Sequence, residues 1–88
     1  MFRLWGKCMK QNRLVRDIII CDGDYSKSRT RMVLDGVTEI CRSFDLPEPI
    51  WLSSNIEEFR RLDHTRFRQD SFIEELDFDY LEIRVLEE

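Results

Sequence analysis

A single domain of 88 residues buries only roughly 60–65% of its unfolded surface, which leaves no room for a large enclosed substrate cavity. A composition of 42% hydrophobic, 36% charged and 11% aromatic residues excludes a disordered chain. The net charge of −4 and pI of about 5.0 weigh against a domain that holds nucleic acid mainly by releasing counterions.

The first predicted element is a hairpin. Residues 2–10 and 13–21 read as strands joined around Gln11 and Asn12, and asparagine tolerates the positive φ of tight turns. In the first strand Phe2, Leu4, Gly6 and Cys8 share one face, and Arg3, Trp5, Lys7 and Met9 the other. The second, "RLVRDIIIC", is rich in β-branched residues. "CDGDYS" breaks it, with Asp24 or Ser26 as the expected helix cap. A main helix follows, because Val33, Val37, Ile40, Cys41 and Phe44 recur at helical period. Gly36 lies on or beside that stripe, where glycine costs roughly 1 kcal/mol against alanine and so points to close packing on the sheet.

"FDLPEP" ends the helix, since residues before Pro47 and Pro49 are pushed out of the α region. "PIWL" reads as an extended segment closing one end of the core. Ser54 and Glu57 fit a capping box for a second, short helix with Ile56, Phe59 and Leu62 as its inner face. Another S-x-x-E at Ser71 and Glu74 predicts a third helix of one or two turns carrying Phe72, Ile73 and Leu76. In "DYLEIRVLEE", Leu81, Ile83 and Val85 alternate with Tyr80, Glu82 and Arg84, the period of a strand.

The expected fold is therefore α+β: a three-stranded, mixed or antiparallel sheet, made of the hairpin plus a C-terminal strand, against one main helix and one or two short ones. A right-handed crossover sets the last strand antiparallel beside the first, in the order 2-1-3. Charge supports that neighbour. Arg3, Lys7, Lys10, Arg13 and Arg16 make residues 1–16 purely basic, while residues 74–88 hold Glu74, Glu75, Asp77, Asp79, Glu82, Glu87 and Glu88 against Arg84. Opposite charges across a strand pair stabilise it. The three cysteines Cys8, Cys21 and Cys41 include no CxxC pair, so reduced thiols and a cytoplasmic location are expected. Arg3 and Lys7 interrupt any signal-like start. The run Ile18–Cys21 is too short to span a bilayer, so no membrane partner is expected.

"RLWGKCMKQNRLVRD", "FDLPEPIWL" and "TRFRQDSFIEELDFDYLEI" together resemble a family of small uncharacterised proteins from anaerobic Gram-positive bacteria. The resemblance covers nearly the whole chain and implies a bacterial cytoplasmic protein. It transfers no activity and no site residue.

The densest group of functional side chains is "RRLDHTRFRQD", Arg60 to Asp70, which reads as the exit of the short helix leading toward the last strand. Acid–base chemistry would require Asp63 or Asp70 to orient His64, and no catalytic motif accompanies them. Asp22, Asp24 and Ser26 imitate the opening of a calcium loop, but its glycine and glutamate positions hold Lys27 and Val33. Neither cofactor nor metal is expected. Arg60, Arg61, Arg66 and Arg68 could contact phosphates with Phe67 or Trp51 stacking on a base, and Arg29 and Arg31 could extend the patch. Against this, Glu57, Glu58, Asp63 and Asp70 balance the four arginines locally. Trp5, Met9, Tyr80 and Leu86 instead suggest an apolar group on the second sheet face. The leading expectation is a non-enzymatic protein–protein interaction module or homodimer using Trp5, Met9, Tyr80 and the arginine segment, or else a sheet edge. Weak nucleic-acid binding is the alternative.

Overall fold

Gln11 and Asn12 take left-handed φ values of 51° and 62°, the geometry of the two-residue turns that match strand twist. They join β1 (Phe2–Lys10) to β2 (Arg13–Asp22) in the computed structural model, which describes residues 1–88. The alternation in β1 holds: Phe2, Leu4, Gly6 and Cys8 are buried, while Trp5, Lys7 and Met9 are partly exposed and Arg3 is exposed. A register shift between Cys8 and Met9 pairs Cys8 with Arg16 and Met9 with Leu14.

Helix α1 (Arg29–Ser43) is capped by Ser28, whose Oγ accepts from Arg31 N at 3.1 Å. Asp24 and Ser26 are not the cap. Asp22 Oδ1 and Asp24 Oδ1 accept from the backbone N–H of Asp24 and Ser26 at 2.9 and 3.1 Å, so these side chains tie up the preceding turn. The predicted stripe Val33, Val37, Ile40, Cys41 and Phe44 is buried throughout. Gly36 does mark close packing: a Cβ there would lie 2.7 Å from Leu4 Cδ2. Gly6 does the same from the strand, since its Cβ would stand 2.6 Å from Ile40 Cγ2. At the helix end Asp45 (φ 56°) turns left-handed, and Leu46 N donates to Cys41 O at 2.8 Å, a Schellman closure.

Helix α2 (Ser53–Leu62) starts before the predicted Ser54 box. Its entry is held by Asn55, whose Oδ1 accepts from Leu52 N at 3.1 Å. The inner face also differs from expectation: Asn55 and Phe59 are buried, whereas Ile56 and Leu62 remain 47% and 45% exposed. The cause is polar. Asn55 Nδ2 donates to Thr65 Oγ1 at 3.0 Å and to Arg66 O at 2.9 Å. A buried amide must be satisfied, so the helix is rolled to present Asn55 inward. Asp63 (φ 60°) closes α2 by donating to Phe59 O at 2.9 Å.

The arginine segment then overturns two expectations. His64–Phe67 is a strand, β3, and pairs antiparallel with β4 (Tyr80–Glu87). The sheet has four strands rather than three, all antiparallel, in the order β2-β1-β4-β3. No helix follows Ser71; there is only a single 3-10 turn, Gln69–Ser71. Ser71 Oγ is directed at Asn55 Oδ1 at 3.4 Å. The loop beyond is held by the Gln69 side chain, which donates to Glu74 O at 2.8 Å and accepts from Leu76 N at 2.7 Å.

The C-terminal strand lies antiparallel beside the first, as the crossover rule and the opposed charges predict, with Arg3 opposite Glu87 and Lys7 opposite Glu82. Both helices sit on the sheet face that carries Phe2, Leu4, Cys8, Phe67, Leu81 and Ile83. Trp51 joins that core edge-on, 5.6 Å from the Phe59 ring and 4.9 Å from the Phe67 ring. No helix is long and apolar enough to cross a membrane.

Candidate interaction surface

The opposite sheet face has no helix over it, and the pairing register arranges its side chains in cross-strand rows. One row is Leu14, Met9 and Tyr80, the next Asp17, Lys7, Glu82 and Arg66, and the third Ile19, Trp5, Arg84 and His64. The middle row alternates in sign. Glu82 is its pivot: Arg66 Nε stands 2.9 Å from Oε1, Lys7 Nζ 3.0 Å from Oε2 and Arg84 Nη2 3.7 Å from Oε2. These neighbours leave the Glu82 side chain only 4% exposed, although its position in the strand alternation is an outward one.

Burial acts to raise the Glu82 pKa, but hydrogen bonds from Arg66 and Lys7 outweigh it and hold the carboxyl below the ordinary glutamate range. The same bond holds the Arg66 guanidinium further in its charged form. Aromatic rings brace the ladder on both sides. Trp5 Nε1 donates to Asp17 Oδ2 at 2.9 Å, and Lys7 Nζ lies 4.3 Å from the Trp5 ring centre. Arg66 and Arg68 stack over Tyr80 at 4.6 and 5.7 Å, cation–π contacts that fix ring and guanidinium together.

Five of the seven predicted surface residues are thus brought together: Trp5, Met9, Tyr80, Arg66 and Arg68. Arg60 and Arg61 are not among them; they sit exposed on α2, outside the sheet. The alternation of Thr65 and Phe67 inward with His64 and Arg66 outward is present in "HTRF", but four residues are too few to distinguish a strand from a helix exit. Lys7 and Glu82 cannot be read as a pair from the sequence, because only the register sets them opposite.

The chemical candidates are dispersed. His64 faces Arg84 across the strand pair, and its Nδ1 is buried without a hydrogen-bond partner. Asp63 turns away to Arg29, 2.7 Å from its Nη2, so no carboxylate orients the imidazole. In the D-x-D turn, Asp22 is engaged by Asp24 N and by Lys27 Nζ at 3.0 Å. Backbone and ammonium hydrogen bonds hold its carboxyl below the usual range. No group of three or more His, Cys, Asp or Glu side chains is placed to hold a metal ion. No family model, curated protein or solved structure matches this chain.

Proposed function

We propose that this chain is a cytoplasmic bacterial interaction module, without catalytic activity, that binds an acidic and partly apolar segment of another protein on its uncovered sheet face. The observation that carries this reading is the grouping of Trp5, Met9, Tyr80, Leu14 and Ile19 on a face that no helix covers. These side chains form two rows that flank the charged one, and aromatic, methionine and arginine side chains are what protein interfaces select. The charge of the face sets the partner's sign. Arg3, Lys7, Arg66, Arg68 and Arg84 outnumber Asp17, Glu82 and Glu87 there, although the whole chain is acidic. Complementary charge raises the association rate and excludes basic partners. The resemblance to small proteins of anaerobic Gram-positive bacteria and the unpaired cysteines support the assignment to the bacterial cytoplasm.

The test compares the native chain with a Trp5→Ser/Tyr80→Ser variant as baits in lysate, followed by titration of the captured partner's acidic segment. Loss of the partner with the variant, and weakening as salt rises, are expected. A partner set unchanged by the double substitution refutes the reading. A second reading, single-stranded nucleic acid on the same face, is favoured by Trp5 and by Tyr80 flanked by Arg66 and Arg68. Against it, Glu82 sits between the two aromatics, and the chain as a whole is acidic, unlike a domain that holds nucleic acid by releasing counterions. Salt-sensitive binding to single-stranded RNA or DNA that is lost with Arg68→Glu would establish it in place of the first.

A further inference from the structure

A second apolar surface lies on the other side of the molecule and is independent of the sheet face. Rolling α2 to bury Asn55 leaves a groove of about 440 Å³ between α1 and α2. Val33 and Phe59 form its buried floor, and Leu34, Trp51 and the half-exposed Ile56 its walls. Arg29 and Arg60 stand at its rim. Arg29 is engaged by Asp63 and Glu88, whereas Arg60 has no ion pair. The groove therefore suits an apolar side chain followed by a carboxylate.

The chain itself carries such a segment. Ile73 is 92% exposed, the most exposed large hydrophobic residue of the protein, and Glu74, Glu75 and Asp77 follow it, all exposed. The segment is not slack. Phe72 and Phe78 anchor its two ends in the core, and Gln69 bridges Glu74 O and Leu76 N. A preformed protrusion loses little freedom when it docks. Ile73 lines no part of the groove in its own chain.

We propose that two copies of the chain associate about a twofold axis, Ile73 of each seated in the α1–α2 groove of the other, with Glu74 and Glu75 meeting Arg60 there. Loop and groove are different surfaces, so a single such contact would propagate head to tail; two reciprocal ones close a dimer. The seat is a single side chain per copy, and association in the range of roughly 10 µM to 1 mM is expected, as for weak, transient contacts.

Sedimentation equilibrium of the full chain over that range should give a mass rising from one copy to two. Ile73→Asp, at a position exposed enough to spare the fold, should weaken the dimer by about 100-fold or more, since both seats are lost together. Ile56→Asp should do the same with an unchanged circular dichroism spectrum. A mixture of the two variants should regain part of the mass, because one intact loop then meets one intact groove. Arg60→Glu should weaken the dimer, and adding Glu74→Lys and Glu75→Lys to that chain should restore it. A native chain that stays monomeric at 1 mM, or a dimer untouched by Ile73→Asp, overturns the proposal. A dimer lost instead on Trp5→Ser/Tyr80→Ser places the contact on the sheet face, and so separates this inference from the preceding one.

Discussion

Glu82→Gln is the most informative single perturbation of this fold, because it removes one charge from the centre of the uncovered face and almost nothing else. The carboxylate accepts from Arg66 Nε at 2.9 Å and faces Lys7 Nζ at 3.0 Å while only 4% exposed. A hydrogen bond to a charged group contributes about 1.5–3 kcal/mol. The Arg66 side chain is 45% exposed and that of Lys7 only 19%, so water screens the first bond much more than the second. The net cost of the substitution is then about 2 kcal/mol, which lowers the melting temperature of a domain this size by about 8–16 °C.

The pH dependence follows from the direction of the shift. Glu82 has a folded pKa below its ordinary value of 4.5, so its contribution is complete above that value and is lost as pH falls through the folded pKa. Urea unfolding of both proteins at a series of pH values should show a constant gap above about pH 5 that closes in more acidic solution. A gap under about 0.5 kcal/mol at neutral pH, below the worth of even one such bond, refutes the argument. So does a gap that persists unchanged into strong acid.

Other outcomes follow from the packing. Gly6→Ala sets a methyl against three atoms of Ile40 and Gly36→Ala against Leu4; overpacking costs about 1–3 kcal/mol, and the helical site regains up to about 1 kcal/mol of propensity. Gly6→Ala should therefore lower the thermal midpoint more than Gly36→Ala, and the reverse order would contradict the geometry. Asn55→Ala strands Thr65 Oγ1, Arg66 O and Leu52 N together, a loss of at least about 3 kcal/mol at roughly 1–3 kcal/mol for each unsatisfied group, readable in urea unfolding. A thiol reagent at pH 8 should label exposed Cys21 quickly. Cys8 and Cys41 should react only after unfolding, because both are buried and burial pushes their thiols up, that of Cys41 to about 12. Rapid labelling of all three would show that the core opens readily.

What the sequence determined by itself was the set of elements whose apolar period is long enough to count. The hairpin, the stripe of α1, the glycine on it and the alternation of the last strand all announce themselves, because each places several large side chains on one face at a fixed spacing. The crossover rule, with the opposed charges of the two ends in agreement, places β4 beside β1. Tertiary structure alone decided β3, where two inward residues, Thr65 and Phe67, become a strand only because β4 offers them an edge. It alone decided the inner face of α2 as well, where an amide seeking Thr65 and Arg66 O outcompetes the apolar stripe of Ile56 and Leu62. Hydrogen-bond partners of a buried polar group lie far away in sequence, and periodicity carries no information about them. For the same reason Glu82 read as a solvent-facing residue: its burial comes from Lys7 and Arg66 on two neighbouring strands, which only the folded register brings to it.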